Sequence, residues 1–531
     1  MTRARGAKLV FFICLFLLSA GAFLPALFVT IKSLNSVADT SALYRILLPG
    51  SHQWSLLKST IIILLGTSVG AIILGVPLAL VFSRTRFPGR TFFLFLCPIP
   101  LLIPSYVHTI CWTYLLDTFK WVPKFNDIAI PYLDISYGHL ASIWVLILSY
   151  YPVVTFFSFV SFNQIDSNLE HAARIHAGGF RVLKNITLKL ASPGILSGGL
   201  FVMIFALSNF SVPSMLGVNV FSLDVFYQFS SLHRMDQAAI SVIPLLFFSM
   251  IALFCIHRLD KSPRSVVIDS SIKFSFSISP IKKWLISGCV LFIYILSIFL
   301  PLIILLNMAG PWENYIAAIS NARHDILISF WTAVGAATFA FIISVILAYI
   351  AWNTYPKMGN WIDLIAIISF TFPAVGIAIG IIELWNREGV TGYVYASSFI
   401  LVIAYFCRYI SFAFKPVRIA MNYVDISMEE NAQIIGIPWW QRLVRLLAPL
   451  SSKGLMISWF MVYLFSLTDL SLAILVHPPG KGTIPIRIYN MLHFGRQEWV
   501  GALCLVLAGL VLLPYIILIL WSVKKPREAY S

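Results

Sequence analysis

Charge is what this chain has least of. Only 11% of its 531 residues are Asp, Glu, Lys or Arg, while 59% are hydrophobic. That balance excludes a soluble enzyme, whose charged share lies near a quarter. Acids are the scarcer sign, 21 Asp and Glu against 37 Lys and Arg, for a formal net charge of +16. The seven cysteines (Cys14, Cys97, Cys111, Cys255, Cys289, Cys407, Cys504) sit in apolar runs without C-x-x-C spacing. They therefore read as small core hydrophobes, not as metal ligands or disulfides. No G-x-x-x-x-G-K-[ST] phosphate loop exists; Gly480-Lys481-Gly482-Thr483 lacks its upstream glycine and its strand–helix context. The chain is thus expected to be no enzyme and to hold neither cofactor nor metal.

What is present is apolar length. Stretches of about 20 residues occur near 9–31, 59–83, 91–116, 138–162, 195–217 and 238–257, then 284–307, 326–352, 361–384, 394–414, 455–477 and 499–522. The first follows Arg3, Arg5 and Lys8 as a signal peptide would, but it is too long and has no clear cleavage site, so it reads as an uncleaved span. The basic residues collect in loops of one side: Arg84, Arg86 and Arg90, then Arg174, Arg181, Lys184 and Lys189, then Arg442 and Arg445, then the tail from Lys524. This bias puts both termini in the cytoplasm. It accounts for the positive charge without nucleic acid.

The chain also repeats itself. DSNLEHAARIHAGGFRVLKNITLKLASP at Asp166–Pro193 is echoed by DISMEENAQIIGIPWWQRLVRLLAP at Asp425–Pro449. LGVPLAL at Leu74–Leu80 faces VILAYI at Val345–Ile350, and Pro104 faces Pro373. FALSNFSVP at Phe205–Pro213 faces FSLTDLSLA at Phe465–Ala473. Six spans per half make a parallel repeat. The expected fold is an all-α polytopic membrane protein of about 12 transmembrane helices in two six-helix repeats. Its expected parts are 1–56 (first span and outer loop), 57–258 (repeat 1), 259–321 (linker, seventh span and outer loop), 322–522 (repeat 2) and 523–531 (basic tail). IKFSFSIS within the linker alternates apolar and polar residues, as a short strand or interfacial segment would; a plain linker is preferred.

Each repeated loop reads as a polar helical hairpin between its half's fourth and fifth spans. In the second copy Asp425 or Ser427 caps a helix running through Ile435, with Ser427 and Glu430 spaced as a capping box. Gly436 takes the left-handed position past the helix end, and Pro438 opens the next helix. Trp439, Trp440, Leu443 and Leu447 form its apolar stripe, Arg442 and Arg445 stay polar, and Pro449 closes it. The alternative is an amphipathic hairpin lying on lipid headgroups, which does not explain two copies.

Here the chain resembles a known family. E-x-A-x-x-x-G with a distant L-x-P is the loop of ABC importer permeases of the type I fold, matched by Glu430, Ala432, Gly436 and Pro449. The first copy departs from it. His171 replaces the acid before Ala172 and Ala173, Ala177 replaces the glycine, Gly178 follows one place late, one residue is missing before Phe180, and Lys189 replaces the proline. Among fused two-half members the chain looks nearest to the ferric-iron group, through PIPLLIPSYV at Pro98–Val107, VPSMLGVNVFSLDVFYQFSSL at Val212–Leu232 and IPIRIYN at Ile484–Asn490. Thiamine, phosphonate and polyamine permeases are the alternatives. The resemblance implies a bacterial inner-membrane importer with two ATP-binding subunits, which use ATP and Mg, and an extracytoplasmic binding protein. It implies docking of those subunits at Glu170, Ala172, Ala173, Gly178, Glu429, Glu430, Ala432, Gly436 and Pro449. An ion-gradient-driven twelve-span transporter is the rival class. The turn after its second span would carry an acid, and Ser83–Arg90 has none.

Asp469, with Asn209 as its repeat partner, is the most costly residue in the spans, so both are candidates for the translocation path. Pro104 and Pro373 are candidates too, as breaks that free backbone in the third and ninth spans. His108 reads as a helix contact. Glu383 and Arg408 lie close enough to span ends to snorkel.

Overall fold

A computed structural model describes residues 2–36, 51–118, 137–260, 279–353 and 356–524, and among them every regular element is helical. Most of the linker, the outer loop 119–136 and all but the first two residues of the tail lie outside these residues. Among the described residues, nine helices are long and apolar enough to cross a membrane. Three further pairs are bent at a short break, and counting each as one span gives twelve. The second span, His52–Arg84, shows how the ends are fixed: the Ser51 hydroxyl accepts from the Trp54 amide at 3.1 Å. That bond satisfies one of the first-turn N–H groups a helix cannot pair internally.

Pro104 and Pro373 do break their spans. Arg90–Leu102 meets Ser105–Thr118 at 89°, and Met358–Thr371 meets Ala374–Trp385 at 97°. A proline lacks the N–H that would continue the ladder, and Pro373 serves as the cap of the helix that restarts.

The helices form two compact units. One combines the first span, Val225–Ile243 and everything from Ala309 onward; the other contains the first repeat from the second span to Asp224, with Pro244–Met308. The first span therefore belongs to the unit of the second repeat, and the seventh to the unit of the first. Gly380 lies against the backbone of Pro25, and the Arg387 guanidinium sits 5.5 Å from the Phe28 ring centroid. In the other unit, the Tyr294 hydroxyl of the seventh span donates to the Phe93 carbonyl at 2.8 Å, and Ser287 to that of Pro88 at 3.0 Å. The expected parts, which set the first span (1–56) and the seventh (259–321) apart from both repeats, do not contain this exchange. Gly66 and Gly70 face Ile143 and Ile147 of the fourth span, the close helix approach that small residues permit.

Candidate functional site: two unequal hairpins and the breaks beneath them

Each hairpin opens with an aspartate cap. Asp166 accepts from the Asn168 amide at 2.9 Å and Asp425 from the Ser427 amide at 3.0 Å. The Ser427 amide holds the exposed Asp425 carboxyl below its usual range. Asp425, not Ser427, is the cap. The first helices then run over Ser167–His176 and Ile426–Ile434.

At their far ends the hairpins part company. Gly436 has φ of 84°, its amide bonds the Gln433 carbonyl, and the Ile437 amide bonds that of Ala432. This paired closure is a Schellman turn, which requires a left-handed residue. The first hairpin leaves its helix through Ala177 and Gly178 in extended conformations, φ −142° and −64°. Gly178 has not inherited the left-handed position, because the shorter turn contains none. The second helix is then capped by Gly178 in one copy and by Pro438 in the other. Pro438 thus stands one place before the helix it was expected to begin.

Both second helices widen into a π-helical stretch, Leu183–Thr187 and Arg442–Leu447. Nothing in the sequence signals it. Past that point Pro449 matters: Trp439–Leu450 meets Ser452–Thr468 at 90°, whereas Gly179–Leu207, with Lys189 at that place, continues unbroken into its span.

The predicted docking residues divide by burial. Glu430, Ala172, Gly178, Gly436 and Pro449 are exposed, and Ala173 and Ala432 half-buried. Glu170 and Glu429 are completely buried and cannot present their carboxylates to a partner. Glu170 pairs with Arg84, whose Nη2 lies 3.0 Å from Oε2, and accepts the Thr187 hydroxyl at 2.7 Å. Glu429 pairs with Arg442, Nε to Oε1 at 2.9 Å, and accepts the Tyr349 hydroxyl at 2.6 Å and the Asn353 amide at 3.2 Å. Arg442 is therefore buried in an ion pair instead of staying on a solvated face. The sequence reading also missed the residues that do protrude: Ile175 (81% exposed), Phe180 (77%), Ile434 (81%) and Ile435 (78%). Their signal was apolar residues off the stripe of an otherwise polar hairpin.

The four path candidates come together pairwise. The Asn209 side-chain amide donates to Ser105, next to Pro104, at 2.6 Å and to Tyr150 at 3.0 Å, while its oxygen accepts from the Val212 amide at 3.1 Å. Asp469 accepts from the Leu472 amide at 2.8 Å and from the Tyr409 hydroxyl, and lies 3.6 Å from Arg408. Arg408 reaches the Phe372 carbonyl, next to Pro373, at 3.5 Å. In both units a polar side chain thus caps the restart after a span and ties it to the proline break. Arg408 does not snorkel; it is 5% exposed, ten residues into Phe399–Asn422.

Residues 71–265 match the sequence profile of the binding-protein-dependent transport system inner membrane component family. A probable molybdenum ABC transporter permease protein of Haloferax volcanii is 31% identical over 196 residues, 36% of this chain and 70% of that relative. The chain belongs to this family. It is the permease of an ABC transport system. The Fe(3+)-transport system permease protein FbpB 2 of Haemophilus influenzae is 23% identical over 499 residues, 90% of this permease and 91% of the relative. A putative 2-aminoethylphosphonate transport system permease protein of Salmonella typhimurium is 22% identical over 234 residues, 42% of this permease and 88% of the relative.

Proposed function

We propose that this permease imports ferric iron across the bacterial inner membrane, with both termini in the cytoplasm. Iron is handed over by an extracytoplasmic binding protein, which supplies the coordinating groups. Two ATP-binding subunits, one under each hairpin, bind ATP and Mg and supply the energy. The substrate assignment rests on similarity to the iron-transport relative along nearly the whole chain, where the phosphonate and molybdenum relatives match less than half. The docking assignment rests on one observation: two polar hairpins in repeat positions each carry large apolar side chains left uncovered.

Closure of the ATP-binding subunits would move the hairpins, and the spans joined to them, between two packings of modest free-energy difference. Asn209, Asp469 and the breaks at Pro104 and Pro373 line the path in this reading. Proteoliposomes holding the complete system test the substrate. Binding-protein-dependent uptake of ferric iron is expected, and uptake of 2-aminoethylphosphonate, molybdate, thiamine or a polyamine in its place would reassign it. Ile434→Asp tests the docking face. It should release the ATP-binding subunit while leaving the permease in the membrane; undiminished binding would return the hairpin to a lipid-surface role.

A further inference from the structure

Neither buried hairpin acid has a place in the docking face, and neither is held in the same way. Glu170 draws its cation from Arg84, the last residue of the second span, which also donates to the Phe162 carbonyl at 2.5 Å. Glu429 draws its cation from Arg442, within its own hairpin. The repeat makes these two positions comparable. Leu78-Ala79 pairs with Leu347-Ala348, so Arg84 corresponds to Asn353; Gly178 pairs with Pro438 as the helix cap, so Arg442 corresponds to Val182. Where the span has the arginine, the hairpin has valine. Where the hairpin has the arginine, the span has asparagine, which still bonds the acid.

A fully buried carboxylate without a cation is strongly unfavourable. An acid kept in both hairpins, with its cation moved to the opposite wall, marks a requirement for the cluster and not for either arginine. We propose that Glu170 and Glu429 are positioning residues that fasten each hairpin to the cytoplasmic end of the second or eighth span. One cation completes the cluster, from the span or from the hairpin. The fastening makes hairpin and span move as one body, which is how motion of an ATP-binding subunit would reach the membrane. That last step rests on the docking reading of the hairpins; the fastening itself does not.

The arrangement can be tested by moving the cation. In the full chain reconstituted with its ATP-binding subunit and binding protein, Arg442→Val should lower substrate transported per ATP hydrolysed by roughly tenfold, and lower the unfolding midpoint of the permease. Asn353→Arg/Arg442→Val rebuilds the first hairpin's arrangement in the second and should return both quantities to within about twofold of the starting protein. Arg84→Asn and Arg84→Asn/Val182→Arg form the mirror test. Tyr349→Phe, which removes the hydroxyl that donates to Glu429 and accepts from Arg442 but removes no charge, should lower the transport-to-hydrolysis ratio at unchanged membrane abundance. A double variant as defective as its single, or one that fails to accumulate, overturns the exchangeable cation. Wild-type behaviour of Arg442→Val overturns the cluster altogether. If the starting protein binds no ATP-binding subunit, the docking reading has failed; the unfolding midpoints of the same variants still decide the fastening.

Discussion

Asp469 shows how much a single residue's partners change its meaning. Its carboxylate caps the Leu472 amide, takes the Tyr409 hydroxyl and lies beside Arg408, so every part of it is engaged. Asp469→Leu leaves the buried Arg408 guanidinium without its counter-charge and the Leu472 amide without its acceptor, and a loss of about 3–5 kcal/mol is expected for removing one partner of a buried pair. The first repeat has neutral residues at the corresponding positions: Asn209 in place of Asp469, and Ser149, as far before Asp166 as Arg408 is before Asp425, its hydroxyl donating to the Val145 carbonyl of its own helix. Arg408→Ser/Asp469→Asn should therefore recover most of the stability that Asp469→Leu loses. Unfolding midpoints in detergent check this, and equal loss in both variants would show the repeat correspondence to be without energetic content. The sequence made Asp469 conspicuous as an acid in an apolar run. It could not show Arg408 as its partner, because 61 positions separate the two and an arginine near a predicted span end has snorkelling as a cheaper option.

At the scale of the element, the hairpin turns are the sharpest contrast. Gly436 needs φ of 84°, in open space where a Cβ would meet nothing within 4 Å. Gly436→Val is therefore penalised by backbone strain alone, about 1–3 kcal/mol. Ala177 is extended, a conformation β-branched residues favour, so Ala177→Val should be close to neutral. Pull-down of the ATP-binding subunit and uptake at matched abundance should fall much more for Gly436→Val. Equal losses would contradict the asymmetry. These turns were legible in sequence, since a glycine past a helix end and a one-residue deletion both act locally. The π-helical stretches and the buried pairs of Glu170 and Glu429 were not. They depend on which wall of the hairpin meets the span, and residue type does not encode that. The proline breaks at 104 and 373 were legible for the same local reason as the glycine turn.

For the whole molecule, the exchanged spans were the least predictable feature. An apolar helix advertises that it will be buried or face lipid, but not against what. Gly380 supplies a handle, because a side chain there would strike the Pro25 backbone, whereas Gly288 on the seventh span faces open space. Gly380→Leu should displace the first span and lower the unfolding midpoint by several degrees, while Gly288→Leu should leave it unchanged. Matching midpoints would argue against this packing of the first span.

In the function proposed for it, this permease needs no ATPase site of its own and is energised by subunits docked on its hairpins. ATP hydrolysis by the purified chain, measured before and after adding the ATP-binding subunit, tests it most directly. The account predicts no hydrolysis by the chain alone and hydrolysis only in the complex, lost again with Ile434→Asp/Phe180→Asp. Robust hydrolysis by the chain alone, or a complex that forms and works equally well with both hairpin faces altered, would contradict it.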